Sequence, residues 1–138
     1  MFHPKAIFRI VGLLLLFEAL SLLSSVPVAL YYDEAVVEDL LLTVGIMVGT
    51  GVSLSYFCRK AGRDVSRKDG YIVVSLIWVI FSLFGSLPYM LSGYITNFTD
   101  AFYETMSGFT TTGSSILSNI ESLPKSLLFW RALTHWIG

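Results

Sequence analysis

The sequence predicts an all-α integral membrane protein, and three observations predict it. Hydrophobic residues make up 54% of the chain, charged residues only 14%, and three apolar runs are each long enough to cross a bilayer. A soluble domain carries about 25% charged residues, and a membrane-spanning helix needs roughly 20 apolar ones. The runs are residues 10–30, 40–57 and 71–92; the second and third hold no charged residue, and the first holds only Glu18. A water-exposed helix cannot be built from such segments.

The first run follows Lys5 and Arg9, an arrangement shared with signal peptides. It extends over 21 residues and ends in Tyr31 and Tyr32, without a small-residue cleavage site, so it reads as a retained helix. Glu18 inside it is expected to form an interhelical hydrogen bond, with a proton relay as the alternative. The second run carries Gly45 and Gly49, a Gly-x-x-x-Gly pair that permits close helix approach, read as internal packing with self-association as the alternative. The third run holds Pro88 near its end, where it shapes the exit of the helix.

Loop charge orients these spans. Lys and Arg are retained on the cytoplasmic side of short loops. Lys5 and Arg9 precede the first run, and Arg59, Lys60, Arg63, Arg67 and Lys68 lie between the second and third. The opposite loop holds Asp33, Glu34, Glu38 and Asp39 and no basic residue. All three spans agree on a cytoplasmic N-terminus, with residues 93–125 outside. The basic loop suffices as a topology signal, with contact to a regulator or anionic lipid as a further reading. Tyr31, Tyr32, Tyr56, Tyr71, Tyr89 and Tyr94 fall near the expected interfaces.

The segment between the third run and the final one carries the chemistry. Residues 99–109 read as a short helix, with Asn97 or Thr99 as the cap and Asp100 near its positive end. Its length, about 16 Å, is about half a bilayer core. Residues 110–115, Thr-Thr-Thr-Gly-Ser-Ser, are rich in hydroxyls and suit an extended strand of about 20 Å that returns to the surface. Non-helical backbone at membrane depth survives only when buried in protein or lining a water-filled cavity. A half-length helix followed by a polar strand therefore points to a pore: a re-entrant pore helix and a selectivity-filter strand, the alternative being an ordinary Ser/Thr/Gly loop. Rings of backbone carbonyls would replace the hydration shell of a cation, helped by the negative end of the pore helix. Gly113 suits dihedrals that a β-carbon makes costly. Glu104, one turn back, either biases cations or braces the strand. A last apolar run, residues 126–138, is about 20 Å of helix, too short to cross the core, and reads as the start of an inner helix.

The order of outer helix, pore helix, Ser107-Gly-Phe-Thr-Thr-Thr-Gly113 and then Arg131-Ala-Leu-Thr-His-Trp-Ile-Gly138 resembles the Trk/Ktr/HKT superfamily of potassium transporters, nearest its bacterial TrkH branch. The two extra leading helices resemble that branch as well. The resemblance implies a division into residues 1–69, a two-helix N-terminal membrane region with its basic loop, and residues 70–138, the first of four helix-pore-helix repeats, incomplete at its last helix. It implies potassium uptake across the bacterial inner membrane through a pseudo-fourfold filter with one characteristic glycine per repeat. Gly113 would be the first of these, with Thr111, Thr112 and Ser114 beside it and Glu104 and Thr110 in support. K+ would be held by the backbone carbonyls of Thr111, Thr112 and Gly113. K+ is then the transported ion, and no cofactor is implied. The implied partners are the lipid bilayer, a cytosolic TrkA-type nucleotide-binding regulatory subunit and, for the full-length protein, a second copy in a homodimer. The other three repeats and the gating loop of a later one would lie beyond Gly138.

Two other functions account for fewer residues. A small homotetrameric channel subunit would bring four copies of Gly113 together, but its short last helix could not line a cavity. A membrane interaction protein built on Gly45 and Gly49 leaves the polar strand unexplained. No nucleophile-base pair, metal-ligand cluster or phosphate-binding loop supports an enzyme, and nothing suggests a nucleic-acid partner. Cys58, the single cysteine, precludes an intrachain disulfide, and His3 and His135 are too isolated to suggest a metal site. Asn97-Phe98-Thr99 fits a glycosylation sequon that a bacterial cell would leave unused.

Overall fold

Helix α1, Pro4–Leu23, starts with proline in its first turn, where the missing N–H costs nothing. The computed structural model describes residues 3–60, 62 and 65–138; Arg63 of the basic loop lies outside them. α1 stops at Ser24, and Pro27 opens a short continuation, α2, Val26–Tyr31. The first apolar run is therefore a broken rod. α3, Val37–Phe57, is uninterrupted and has Glu38 and Asp39 in its first turn, where the helix dipole favours them. The third run breaks in the same way as the first: α4, Arg67–Gly85, ends at Ser86, and α5, Leu87–Leu91, begins with Pro88 in its first turn. Pro88 thus shapes the exit as the sequence implies. α6 is Phe98–Phe109 and α7 is Lys125–Ile137, with a single 3-10 turn at Ile120–Ser122 between them. Among the described residues there is no β-strand. Three helical stretches, Pro4–Tyr31, Val37–Phe57 and Arg67–Leu91, are long and apolar enough to cross a membrane.

Two of the helix starts carry a local side-chain cap. Ser66 caps α4 in a full capping box: its hydroxyl oxygen accepts the Asp69 N–H at 3.2 Å, and Asp69 Oδ2 accepts the Ser66 N–H at 3.0 Å. Asn97 caps α6, its Oδ1 accepting the Thr99 N–H at 3.1 Å. Of the two caps expected for this helix, Asn97 is the one used.

α1 packs along α3 and also against α4, and α6 packs between α4 and α7. The α1–α3 seam is built on glycine, though on a different pair from the one the motif suggests. Gly45 and Gly49 are exposed, and a β-carbon on either would meet nothing within 4 Å. The close approach is at Gly12 and Gly51: a β-carbon at Gly12 would lie 2.9 Å from the Gly51 carbonyl oxygen, and one at Gly51 would lie 2.9 Å from that of Gly12. The reason is helical register. α3 turns Leu40, Thr43, Met47 and Gly51 inward at spacings of three and four residues, which places Gly45 and Gly49 on the opposite face.

Two further expectations need correction. Tyr89 is buried at 1% exposure rather than held at an interface, whereas Tyr31, Tyr32, Tyr56, Tyr71 and Tyr94 are all exposed. Tyr89 lies on α5, which packs against α3 and α6, so its ring is covered by protein. Glu18 is buried, but neither of its carboxylate oxygens finds a hydrogen-bond partner among the described residues. It faces Gly85 of α4, where a β-carbon would lie 3.0 Å from Oε1. Glycine has no side chain to donate, so the expected interhelical bond is not made.

Candidate functional site

α6 has twelve residues, about 18 Å of helix. One face carries Ala101, Thr105 and Phe109, spaced by four, into α4 and α7. Phe109 packs against Phe81 at a ring separation of 5.3 Å and edge-on against Trp130 at 6.3 Å. Two glycines let the backbones come this close. A β-carbon on Gly85 would sit 2.8 Å from Thr105 Cγ2, and one on Gly108 would collide with the Thr134 side chain. Trp130, fully buried, donates its indole N–H to the Gly85 carbonyl at 3.1 Å.

The helix ends in a defined geometry. The Thr111 N–H donates to the Gly108 carbonyl at 3.0 Å and the Thr112 N–H to that of Ser107 at 3.1 Å, the paired bonds of a Schellman motif. Such a motif needs a left-handed residue at its apex, and here that residue is Thr111, with φ +58°. A β-branched residue in this region is an outlier costing about 1–2 kcal/mol. Strain of this kind persists where surrounding contacts over-determine the conformation. Gly113, two residues on, has φ +67°, which glycine adopts without that cost. Nothing lies within 4 Å of where its β-carbon would be, so backbone conformation, not crowding, calls for glycine there.

Segment 110–115 is pinned to α6 along its length. Thr110 Oγ1 donates to the Met106 carbonyl at 2.7 Å. The Ser107 hydroxyl donates to the Ser114 carbonyl at 2.5 Å, and Tyr103 Oη lies 2.8 Å from Ser114 Oγ. Ser115 Oγ donates to Glu104 Oε2 at 2.9 Å, and the Ile116 N–H donates to the same oxygen at 3.4 Å. The other oxygen, Oε1, accepts from Arg131 Nε of α7 at 2.6 Å. Glu104 is buried and Arg131 mostly so, which makes this a charge-assisted bond that water screens little. Of the two roles open for Glu104, bracing is the one the geometry displays.

The expected site residues fall together. Thr110, Thr111, Thr112, Gly113 and Ser114 form one continuous exposed edge, with Glu104 buried behind it. The segment is irregular rather than the extended strand expected, with positive φ at Thr111 and Gly113, and among the described residues it has no neighbouring strand to pair with. A groove of about 340 Å³ runs beside it, lined by Tyr103, Met106, Ser107, Thr110, Thr112 and Ser114. Sequence reasoning gave no role to Tyr103, and it named Ser107 and Arg131 only within the motifs that carry the resemblance, without pairing them with Ser114 or Glu104. The signal for Arg131 was available: a lone arginine in an apolar run needs a partner, and Glu104 is the one carboxylate inside the short helix's apolar face.

Three membrane-capable helices, followed by a half-length helix that delivers a pinned polar segment, define a multi-pass helical membrane protein. Residues 40–138 match the TrkH family, described as cation transport proteins. The chain is 35% identical over 135 residues to the Trk system potassium uptake protein TrkH of Halomonas elongata, covering 97% of this chain and 28% of that protein. It is 34% identical over 137 residues to TrkH of Escherichia coli, covering 99% and 28%. The crystal structure of the potassium transporter TrkH from Vibrio parahaemolyticus superposes with a TM-score of 0.91 at 31% identity, over 99% of this chain and 29% of that one. The chain therefore belongs to the TrkH family of cation transport proteins, and it spans a little over a quarter of the length of these relatives.

Proposed function

We propose that this chain serves potassium uptake across the bacterial inner membrane by contributing the first quarter of a pseudo-fourfold selectivity filter. Residues 70–138 form the first helix-pore-helix repeat, and residues 1–69 form a leading two-helix region with a cytoplasmic N-terminus. α6 is the re-entrant pore helix. The backbone carbonyls of Thr111, Thr112 and Gly113 coordinate K+. Ser114, whose carbonyl already accepts from Ser107, closes the filter, and Thr110 and Glu104 support it. A TrkA-type regulatory subunit and a second copy of the full-length protein are the partners that go with this reading.

One observation carries the proposal: a half-length helix ends in a strained left-handed threonine and hands over an exposed polar segment that is hydrogen-bonded to protein on one side only. A polar edge left open at membrane depth is tolerable only toward water or other protein. Four such edges around an axis replace an ion's hydration shell with carbonyl oxygens. The names of the relatives, potassium uptake proteins, agree with this chemistry.

The test is complementation. In a strain lacking its own potassium uptake, a chimera with these 138 residues in place of the matched segment of V. parahaemolyticus TrkH should restore growth at limiting potassium, and Gly113→Asp should abolish it. Growth that is indifferent to Gly113→Asp in a well-expressed chimera would remove the filter assignment. Rescue by the 138-residue chain alone would instead favour four copies around one axis.

A further inference from the structure

Asp33 and Glu34 lie in the loop between α2 and α3, and Glu38 and Asp39 in the first turn of α3; topology alone explains the presence of all four on the outer side. Glu34 differs from the other three. It is half-buried, and among the described residues only its side chain, of the four, takes part in a hydrogen bond. One oxygen accepts the Lys125 N–H. The other accepts the Ser126 N–H at 3.1 Å and the Ser126 hydroxyl at 2.5 Å.

These donors are the first turn of α7. A helix start leaves four N–H groups without intrahelical partners, and a side-chain oxygen at the cap position usually takes one of them. The residue at the cap of α7 is Pro124, which has no such oxygen, and no local side-chain cap is formed. α6 provides the contrast, since Asn97 caps it from its own sequence. The cap of α7 comes instead from Glu34, 91 residues upstream of Lys125. Its negative charge sits at the positive end of the helix dipole.

Glu34 is aimed there by its own backbone. The Asp33 N–H donates to the Leu30 carbonyl at 3.3 Å and the Glu34 N–H to that of Ala29 at 2.9 Å, closing α2 in a Schellman motif. Its apex is Asp33 at φ +52°, and aspartate is one of the few non-glycine residues that tolerate this region. The only other non-glycine residue with positive φ is Thr111, among the described residues. Two turns along α7 from the cap, Trp130 holds Gly85 and Arg131 holds Glu104, which in turn holds Ser115 and the Ile116 N–H.

We propose that Glu34 is a remote helix cap that positions α7, and through the Arg131–Glu104 pair positions the 110–115 segment. The leading two-helix region thereby acts on ion selection without touching an ion. The consequence for selection rests on reading 110–115 as a filter; the cap itself does not.

The experiment has two arms. In the 138-residue chain, hydrogen exchange of the Lys125 and Ser126 amides, the two held by Glu34, should quicken about five- to tenfold in Glu34→Ala, as for loss of a helix cap. Glu34→Gln, which keeps an acceptor but not the charge, should fall between. In the V. parahaemolyticus chimera, Glu34→Ala should lower potassium-over-sodium discrimination in rubidium and sodium uptake several-fold. Adding Pro124→Asp, which supplies a local cap, should restore both readings. Unchanged exchange in Glu34→Ala would overturn the cap. Faster exchange with unaltered discrimination, or failure of Pro124→Asp to restore discrimination once exchange is restored, would overturn the positioning role. The filter reading is judged apart from both by Gly113→Asp.

Discussion

The α1–α3 seam and the α4–α6–α7 unit are both tightly packed, and they are held by different forces. Along α1 and α3 the contacts are aliphatic, with Gly12 and Gly51 bringing the backbones together, and no hydrogen bond joins the two helices among the described residues. Between α4, α6 and α7 aromatic packing is joined by directional bonds: Trp130 to Gly85, Arg131 to Glu104, and Glu104 onward to Ser115 and Ile116. In lipid, apolar burial supplies no net drive for association, so two regular helices rely on close van der Waals fit. An irregular segment has a harder requirement, since each of its backbone groups needs a partner. The difference teaches that steric fit suffices for a scaffold, whereas a segment of defined but non-helical shape needs directional bonds.

The largest break in this contrast should come from Glu104→Ala. It leaves Arg131 mostly buried and unpaired, and frees Ser115 and the Ile116 N–H, at a cost of about 3–5 kcal/mol for a broken buried pair. Thermal unfolding in detergent should show it, together with loss of uptake in the chimera. Gly51→Val should come next, at about 1–3 kcal/mol, because its side chain meets the Gly12 carbonyl, which is fixed in the helix backbone, as well as the Leu16 side chain. That loss should appear in the melting temperature, with uptake per folded molecule unchanged. Asn97→Ala removes the α6 cap and should cost about 1 kcal/mol, with Asn97→Asp close to neutral. The smallest effect sharpens the comparison: Gly45→Ala and Gly49→Ala should each shift stability by less than about 0.5 kcal/mol, since both face outward. A large loss at Gly45 or Gly49 would mean that this face is covered by another helix in the working protein.

Spans and some helix ends were legible because they depend on local chemistry. Apolar length gave the three spans, Pro88 marked the exit of the third, and Asn97 was one of the two caps read for α6, whereas the break at Ser24 and the Ser66 cap went unread. The backbone conformation of Gly113 was legible because glycine is the residue that takes a positive φ without cost. Helix rotation was not. Gly45 and Gly49 satisfy a motif, yet only the inward register of Leu40, Thr43, Met47 and Gly51 decides which glycines meet a neighbour. Long-range polar pairing was equally hidden. Arg131 and Glu104 lie 27 residues apart, and Glu34 and Ser126 lie 92 apart, distances over which sequence spacing carries no geometry. The left-handed Thr111 is a third case, because a threonine gives no local sign that it will occupy a glycine's conformation.

The indole of Trp130 has an optical consequence. The chain has three tryptophans; Trp130 is fully enclosed and hydrogen-bonded, Trp136 is 88% exposed, and Trp78 is partly covered. Brominated acyl chains should quench Trp136 strongly and leave Trp130 bright. With Trp78 and Trp136 replaced by phenylalanine, the emission of Trp130 becomes a single-site reporter of whether α7 is seated against the break in α4, readable in a native bilayer while ions and partners are added.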